Sequence, residues 1–432
     1  MEKEKKLAIL GFGREGQAVF KFIKKDREFR DFDIFILDKN KNIKVPKGAK
    51  SILGENYLEN LEKFDIVFRS PGIPYNLEQI QKAVTKSVVF KSATSLFFER
   101  AKGQVIGITG TKGKGTTSTL LYKILKNCGY DAYLAGNIGK PAIEILKNLK
   151  KKSISILELS SFQLQDLKVS PHLALVLNIF PDHQDSHKDF KEYLESKLNI
   201  ARFQKPGDKL FFFEDSDLKF NKLGRGKKMP IKMEGTFFSD TEKNLKIPGE
   251  HNLRNAYAAA TLALFLKCPK YAVIKTIQNF KGIEHRLEFV KNAKGIKFYN
   301  DSASTNPQTT VAAIKAFKEP KVLIAGGKDK NLDYGEWVKT MRENDVRAVI
   351  LFGENKDKIR KELGTSNQEP VVKEVDNLEE AIKHAYEFSK SAISNLKSEI
   401  VVLFSPGSAS FDMFKDYAER GKAFKKLVLK LK

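Results

Sequence analysis

The sequence has few cysteines and no long apolar run. Its 432 residues include two cysteines, Cys128 and Cys268, and both fall in apolar helical patterns. Such positions favour small core residues over a disulfide or a metal site. No apolar run reaches the ~18 residues needed to span a bilayer, and the N-terminus carries no long apolar segment with a cleavage motif. We therefore expect a cytoplasmic protein without a membrane span.

Acidic residues are too few to balance the basic ones. The chain has 77 Lys and Arg against 53 Asp and Glu, which gives a formal net charge of +24. This charge is compatible with nucleic-acid binding, but the basic residues are spread over the whole length and form no compact block with interleaved aromatic residues. The spread favours a basic surface for small anionic substrates, and we expect no nucleic-acid partner.

The most informative stretch that is present is VIGITGTKGKGTTSTLLYKIL, residues 105–125. It predicts a buried strand, a glycine-rich turn and a helix that begins near Gly115. The glycines leave backbone N–H groups open to a ligand, and a helix N-terminus with Lys114 attracts phosphate. The spacing is the tighter G-T-x-G-K rather than G-x-x-x-x-G-K-[ST]. We interpret the turn as a nucleotide phosphate loop rather than an ordinary strand-to-helix connection.

A second glycine motif opens the chain. A strand, the motif G-x-G-x-x-G at Gly11, Gly13 and Gly16, and a helix follow one another, and the next strand ends on Asp38. This pattern is typical of a dinucleotide-binding domain, in which the acidic residue binds the ribose. Taken alone, it leaves an NAD-dependent oxidoreductase open, although such an enzyme would not explain the phosphate loop.

Strands and helices alternate along the whole chain, which predicts an α/β protein with doubly wound, mostly parallel sheets. We predict a Rossmann-like domain over 1–91, a central phosphate-loop ATPase domain over 92–282 and a C-terminal Rossmann-like domain over 283–432. Glu158 and His183 each end a strand of the central domain. A carboxylate and an imidazole beside a phosphate loop indicate a Mg²⁺–nucleotide site, although Glu158 could instead cap a helix and His183 could bind a loop carbonyl.

Several separated motifs, in this order, resemble the Mur ligases of peptidoglycan synthesis: GTKGK, GNIG, ELSSFQL, NIFPDHQD, GEHNLRNA, EHRLE, NDSASTN and LFSPGSAS. ELSSFQL, together with the first glycine motif, is similar to the members that add D-glutamate to UDP-N-acetylmuramoyl-L-alanine. The resemblance covers essentially the whole chain. It implies a monomer that binds these two substrates, ATP and two Mg²⁺ ions, and that forms an acyl phosphate on the alanyl carboxylate before the amine of D-glutamate attacks. Another ligase of the same superfamily, with a different amino acid or with folate as substrate, stays open.

The resemblance also implies roles for individual residues. The catalytic residues would be Lys114, His183 and Lys197. The ATP pocket would comprise Gly110, Thr111, Lys112, Gly113, Lys114, Gly115, Thr116, Asn255, His285, Arg286 and Asp301. The UDP-sugar would bind Gly11, Phe12, Gly13, Arg14, Gly16, Asp38, Ser70, Gly72, Asn137, Ser160 and Gln163. D-Glutamate would bind Thr305, Lys330, Ser410 and Tyr417, and Mg²⁺ would bind Thr116, Glu158, His183 and Lys197.

Three positions stand out against this pattern. The family places a carbamylated lysine at Lys197, where the helical pattern alone predicts a solvated charge. The usual hydroxyl residue after the loop lysine is replaced by Gly115, so Thr116 or a water would have to supply the missing metal ligand. A lysine that the family often has in the NDS-x-x-TN string is replaced by Ala303, which removes one cationic contact near D-glutamate.

Overall fold

The computed structural model describes residues 5–180, 187–247, 249–329, 332–364, 370–396 and 398–431. By its internal contacts the chain divides into two compact units. One comprises Met1–Asp240 with Asn255–Thr276, and the other comprises Thr241–Arg254 with Ile277–Lys432. The predicted α/β class is confirmed, while the domain boundaries after residues 91 and 282 remain predictions.

The first sheet is entirely parallel and lies in residues 5–91. Its strand order is β3-β2-β1-β4-β5, with β1 (Lys5–Leu10), β2 (Phe32–Asp38), β3 (Lys50–Leu53), β4 (Ile66–Arg69) and β5 (Val89–Lys91). The accompanying helices are α1 (Arg14–Ile23), α2 (Glu78–Thr85) and α3 (Ala93–Arg100). The order reverses at β1, and such a reversal opens a crevice beyond the carboxyl ends of the strands. The first glycine motif lies there.

The second sheet carries the phosphate loop and is also parallel throughout. Its strand order is β11-β10-β9-β6-β8-β7, with β6 (Gln104–Thr109), β7 (Ala132–Gly136), β8 (Ile154–Glu158), β9 (Leu173–Val176), β10 (Lys209–Phe213) and β11 (Lys227–Ile231). The helices are α4 (Lys114–Asn127), α5 (Ser161–Leu164), α6 (Phe190–Arg202), α7 (Gly235–Asn244), α8 (Glu250–Phe265) and α9 (Lys270–Gln278). The loop therefore leaves the central strand β6 at a second reversal of strand order.

The third sheet is mixed and belongs to the second unit. Its strand order is β12-β13-β17-β14-β15-β16, with β12 (Glu288–Ala293), β13 (Ile296–Asn300), β14 (Lys321–Ala325), β15 (Val346–Leu351), β16 (Val371–Glu374) and β17 (Ile400–Phe404). β12 runs antiparallel to β13, and the other described pairs are parallel. The helices are α10 (Pro307–Lys315), α11 (Gly335–Glu343), α12 (Lys356–Leu363), α13 (Leu378–Leu396) and α14 (Tyr417–Lys430).

The central strands form the cores of the sheets because helices cover both of their faces. Every residue of β8 and of β17 is buried, as are the last four residues of β1. A strand that is buried on both faces has a nearly continuous apolar sequence, which is why these segments could be recognised without alternation. Within the described ranges, no helix combines the length and the apolar character needed to cross a membrane.

Candidate active site

The phosphate loop is shaped by a glycine that no other residue could replace without a local shift. Gly113 precedes the first turn of α4 with φ of +88°, and a Cβ built there would lie 2.1 Å from Oδ1 of Asn255. Asn255 is buried and comes from α8, so the structure brings it against the loop backbone. The close approach of an amide side chain and a left-handed backbone together require glycine.

We expect Gly113→Ala to lower kcat/KM for ATP on the order of 10²-fold, because a Cβ displaces Asn255 and the loop that positions the phosphates. The matched control is Gly129→Ala. Gly129 lies beyond the other end of α4 with φ of +83°, and among the described residues, its chain neighbours aside, no atom lies within 4 Å of a Cβ built there. Both variants carry a similar backbone cost of roughly 1–2 kcal/mol, so only the first should lose activity. Equal kinetic losses would contradict the positioning role of Gly113.

Two lysine amines converge on one carbonyl of the loop. Lys114 Nζ donates to the Gly110 carbonyl at 2.9 Å and to the Thr111 carbonyl at 3.1 Å. Lys197 Nζ, which α6 supplies, donates to the same Gly110 carbonyl at 2.9 Å. Lys197 is 2% exposed, so it is not the solvated lysine that its helical pattern predicts. Positive charge is therefore concentrated at a helix N-terminus, an arrangement that attracts phosphate.

Hydrogen bonds around Thr111 hold the loop in this shape. The Tyr193 hydroxyl donates to Thr111 Oγ1 at 3.0 Å, and Thr111 Oγ1 lies 3.1 Å from both the N–H and the carbonyl oxygen of Phe180. The backbone N–H of Lys112 donates to the Asn178 side chain at 3.0 Å. Lys197 Nζ lies 4.6 Å from the centre of the Tyr193 ring, so the same tyrosine contacts both the loop and the buried lysine.

One carboxylate oxygen of Glu158 accepts a side-chain hydrogen bond, and the other accepts none within the described ranges. The Asn137 side chain donates to Oε1 of Glu158 at 2.9 Å, and the Asn137 N–H donates to the Glu158 carbonyl. Oε2 is buried and has no hydrogen-bond partner within the described ranges. A carboxylate oxygen buried in this way costs free energy unless something pairs with it, and Mg²⁺ takes such oxygens as ligands. Glu158 therefore fits the predicted metal site.

Of the other predicted metal ligands, some lie among the described residues and one does not. Thr116 lies in the first turn of α4 and is half-buried. His183 lies outside the described residues, as does Lys330, which was expected to bind D-glutamate. The described ranges contain no group of three or more His, Cys, Asp or Glu side chains arranged as metal ligands. The role of His183 therefore remains a prediction.

Sequence reasoning missed His187, although it falls four residues after His183. His187 is 3% exposed, its Nε2 lies 3.0 Å from the Ser161 hydroxyl, and its ring stacks on Phe162 at 5.1 Å. It also contacts Tyr193 edge-on at 5.3 Å. The signal that could have identified it is a second histidine just before the N-cap of α6, in a segment that already contained predicted site residues.

Arg69 is a second residue that the motifs did not reveal. It is 1% exposed at the end of β4 and forms an ion pair with Asp166 at 2.9 Å. Its guanidinium also donates to the carbonyl of Ile73 at 2.6 Å and to that of Phe162 at 3.0 Å. A planar guanidinium suits several such contacts at once. Arg69 therefore fastens the first sheet to the ELSSFQL segment of the second.

The predicted UDP end forms a consistent local structure. Gly11 has φ of +85°, the Ser70 hydroxyl donates to the Gly11 carbonyl at 2.6 Å, and a Cβ on Gly16 would lie 2.2 Å from that same oxygen. Asp38 accepts a hydrogen bond from the Phe12 N–H at 2.7 Å. One carboxylate oxygen of Asp38 therefore holds the backbone of the glycine loop in place. Gly13 and Gly72 lie in the loops after β1 and β4, and Arg14 begins α1.

Ser160 and Gln163 are already engaged within the protein. They form a reciprocal capping box at the start of α5, and Gln163 Nε2 donates to Oε1 of Glu15 at 2.7 Å. Glu15 belongs to the first glycine motif, and burial raises the pKa of its carboxyl group. This contact joins the predicted UDP loop to the segment expected to line the path of the muramoyl arm.

The remaining predicted ATP residues lie in the second unit. His285 is buried with φ of +67°, its Nδ1 lies 2.9 Å from the Asn300 side chain, and a Cβ on Gly421 would meet it at 2.2 Å. Burial lowers the pKa of the His285 imidazole, which favours its neutral form. The histidine thus packs the turn before β12 against α14, and Arg286 follows it in that turn.

Asp301 is buried between three donors. The hydroxyls of Ser304 and Ser405 donate to its Oδ2, and the Leu287 N–H donates to its Oδ1 at 3.1 Å. Burial nevertheless raises the pKa of this carboxyl group to about 6. Asp301 therefore joins the NDSAS segment to the start of the SPGSAS loop and the turn before β12.

The raised pKa predicts a pH dependence of stability. The native state holds the Asp301 proton more tightly than the unfolded chain, whose carboxyl has a pKa of about 3.9. Its contribution is therefore fully present below about pH 4 and is lost as the pH rises to about 6, on the order of 2–3 kcal/mol. The Asp301→Asn protein should not show this loss of stability as the pH rises. The free energy of unfolding of both proteins is measured at each pH by denaturant unfolding. The signal is that of Trp337, the single tryptophan and a buried residue of the second unit. Parallel pH profiles for the two proteins would contradict it.

The described residues predicted to hold D-glutamate lie in the second unit, in the loops after β13 and β17 and at the start of α14. Thr305 follows Ser304, whose carbonyl accepts from the Gly407 N–H at 3.0 Å. Ser410 is buried in the loop after β17, while Tyr417 is 45% exposed at the start of α14. The Ser302 hydroxyl donates to the Tyr417 carbonyl at 2.8 Å. The loops after β13 and β17 therefore meet beyond the carboxyl ends of these two neighbouring strands.

These features define an α/β nucleotide-binding protein. Its phosphate loop, the lysines Lys114 and Lys197 on the Gly110 carbonyl and the buried Glu158 carboxylate suit phosphoryl transfer. Residues 108–235 match the Mur ligase middle domain, and residues 285–406 match the Mur ligase glutamate ligase domain. The chain is similar over its full length to proteins named UDP-N-acetylmuramoylalanine–D-glutamate ligase. It is 36% identical to that of Acetivibrio thermocellus, covering 99% of this chain and 96% of that protein, and 36% identical to that of Caldanaerobacter subterraneus subsp. tengcongensis, covering 100% and 99%.

Solved structures agree on the fold. The UDP-N-acetylmuramate–alanine ligase of Thermotoga maritima superposes with a TM-score of 0.55 at 16% identity, covering 98% of this chain and 99% of that one. The MurF ligase of the same organism, solved with ADP, superposes with a TM-score of 0.54 at 17% identity, covering 99% and 96%. The chain belongs to the Mur ligase family, within the group of the UDP-N-acetylmuramoylalanine–D-glutamate ligases.

Proposed function

We propose that the protein is an ATP-dependent ligase that joins D-glutamate to UDP-N-acetylmuramoyl-L-alanine in the cytoplasmic synthesis of peptidoglycan precursors. The observation that carries this proposal is the full-length similarity, at 34–36% identity, to proteins named for that activity. The site supports it, because the Lys114 amine on the Gly110 carbonyl lies at the N-terminus of α4, an arrangement that suits ATP as the source of the transferred phosphoryl group.

The reaction needs activation because a carboxylate is a poor electrophile. Transfer of the γ-phosphoryl group of ATP to the alanyl carboxylate gives an acyl phosphate and ADP. The amine of D-glutamate then attacks the acyl carbon, a tetrahedral intermediate forms, and phosphate leaves as the amide is completed. Negative charge gathers on the phosphoryl oxygens, so fixed positive charge and N–H donors should supply most of the catalysis. Lys114 and the backbone N–H groups of the loop would provide this charge and these donors.

Mg²⁺ would neutralise the phosphate charge in this reaction. The unpartnered Oε2 of Glu158 would take one ion, with His183 and a carbamylated Lys197 as the further protein ligands. Thr116 would serve the phosphates and a second ion, in place of the hydroxyl that Gly115 lacks. Asn137 keeps Glu158 in position by its bond to Oε1.

The remaining predicted residues divide between the other two substrates. The loops after β1 and β4, with Asp38, would hold the UDP end of the muramoyl substrate, and Asn137, Ser160 and Gln163 would line its alanyl arm. Thr305, Lys330, Ser410 and Tyr417 would hold D-glutamate. Ala303 supplies no cation there, and its N–H donates to the His285 carbonyl at 2.9 Å. The protein would act as a monomer, without nucleic acid.

The decisive experiment incubates the full chain with ATP, Mg²⁺, UDP-N-acetylmuramoyl-L-alanine and a panel of amino acids, and measures phosphate release together with the product mass. We expect turnover with D-glutamate and one phosphate per amide formed. Turnover with another amino acid only, or with a folate acceptor only, would assign a different ligase of the superfamily. Phosphate release that depends on DNA or RNA, or NAD reduction without ligation, would overturn the proposal.

A further inference from the structure

The two cysteines of the chain are in contact, although they lie far apart in the sequence. Cys128 caps the C-terminal end of α4, and Cys268 follows the C-terminal end of α8. Cys128 lies near enough to help raise the pKa of the Cys268 thiol, and no disulfide joins the two residues. No other cysteine exists in the 432 residues. The sequence patterns alone had favoured two separate core residues, so the proximity of the two thiols is a finding of the structure.

Independent contacts fix the two chain segments beside each other. The Tyr130 hydroxyl donates to the Leu266 carbonyl, which joins the residues that flank the two cysteines. Asn127 Nδ2 donates to Thr276 Oγ1 at 3.0 Å on the other side. The Cys268 N–H donates to the Ala263 carbonyl at 2.9 Å, which fixes the backbone of Cys268 at the end of α8. The thiol pair therefore lies in a well-connected part of the first unit.

We propose that Cys128 and Cys268 form a reversible intramolecular disulfide when the protein meets a low-molecular-weight disulfide such as oxidised glutathione. The environments of the two thiols set the order of events. Cys128 is partly exposed, whereas Cys268 is 4% exposed. Burial and the neighbouring Cys128 thiol raise the pKa of the Cys268 thiol, which makes Cys268 a poor nucleophile.

The exchange balances in two steps. The Cys128 thiolate attacks one sulfur of the oxidant, which forms a mixed disulfide and releases one small thiol. Cys268 then loses its proton and attacks the Cys128 sulfur, which forms the protein disulfide and releases the second small thiol. Two protein thiols are oxidised, and one small disulfide is reduced to two thiols.

The disulfide would join the ends of two helices that are far from the nucleotide loop. α4 begins at Lys114 and α8 carries Asn255, which contacts Gly113, so the other ends of both helices hold the site. The fourteen residues of α4 separate Cys128 from that loop by about 20 Å. The linkage would close a loop of about 140 residues, and long loops give the largest loss of unfolded-state entropy. Oxidation is therefore expected to stabilise the unit while leaving the loop intact.

The test oxidises the folded full-length protein with excess oxidised glutathione, blocks the remaining thiols by alkylation, and measures the intact mass and the peptides after digestion. We expect loss of both thiols, one peptide pair that links Cys128 to Cys268, no increase in molecular mass on a non-reducing gel, and reversal by a phosphine reductant. The melting temperature should rise by roughly 5–10 °C on oxidation. Cys128→Ser and Cys268→Ser are matched controls and should show no such rise.

Three results would overturn the proposal. The first is a native protein that keeps both thiols under oxidant although the denatured chain loses them. The second is separate glutathione adducts on the two cysteines. The third is a disulfide between chains instead of within one. Each readout is independent of ligase activity, so the outcome does not depend on the proposed function.

Discussion

Lys114→Ala is expected to lower kcat for ligation by about 10³-fold while leaving the melting temperature nearly unchanged. The Lys114 amine lies over the phosphate loop, held by the carbonyls of Gly110 and Thr111. Removing one preorganised charge or donor at a transferring group has this order of effect in other enzymes. The loop itself should persist, because Thr111 remains bonded to Tyr193 and Phe180.

The measurement is steady-state phosphate release with saturating substrates, together with thermal unfolding of each variant. Lys126→Ala is the matched control, since Lys126 is an exposed lysine in the last turn of the same helix. It should keep full activity. Near-normal turnover by the Lys114→Ala protein would remove this lysine from the chemistry and would weaken the assignment of the loop to ATP.

The strands and glycine loops could be predicted from the sequence because their causes are local. β-Branched and apolar runs specify buried parallel strands wherever helices cover both faces, and β6 and β8 fulfil that condition. The glycine at position 113 could be recognised as a turn residue from its neighbours alone. What the neighbours did not show is that Asn255, far along the chain, occupies the space a side chain would need. The resemblance to a family supplied that residue.

The unpredicted contacts have causes that only the three-dimensional fold provides. Arg69 looks like an ordinary strand-end arginine until the ELSSFQL segment places Asp166 and the Phe162 carbonyl beside it. His187 is held by its contacts with Ser161 and Phe162 at the start of α5, which lie far from it in the sequence. The cysteines are unremarkable in their separate helical patterns and meet only because α4 and α8 end together. Burial of Lys197 likewise depends on α6 facing the Gly110 carbonyl.

Lys197 has two possible chemical forms, an amine and a carbamate, and both fit its contacts. As an amine it donates to the Gly110 carbonyl at 2.9 Å and lies over the Tyr193 ring, so it could act as a cation that fastens the loop. A carbamate formed with CO₂ keeps one N–H, which can make the same bond to Gly110. The two forms differ in charge: the amine adds a positive charge at the phosphates, whereas the carbamate adds a negative charge that a neighbouring Mg²⁺ would stabilise.

Variants of Lys197 separate these two forms, and we expect the carbamate. Lys197→Ala should lose activity by about 10³-fold or more, and acetate or formate should restore part of it by supplying a carboxylate in the vacated space. Lys197→Arg keeps a cation that can donate to Gly110, so it should be inactive and should not respond to acetate. Thermal unfolding of both variants, measured alongside, distinguishes loss of chemistry from loss of fold.

Carbamate formation consumes a neutral amine and CO₂ and releases a proton, and a free lysine with a pKa of about 10.4 is mostly protonated near neutral pH. Removing dissolved CO₂ should therefore lower the activity of the wild-type protein, and added bicarbonate, which is in equilibrium with CO₂, should restore it. Protein equilibrated with ¹³C-bicarbonate should show a carbamate carbon resonance that is absent from the Lys197→Arg protein. Full activity of Lys197→Arg without that resonance in the wild type would show that Lys197 works as a cation on the Gly110 carbonyl.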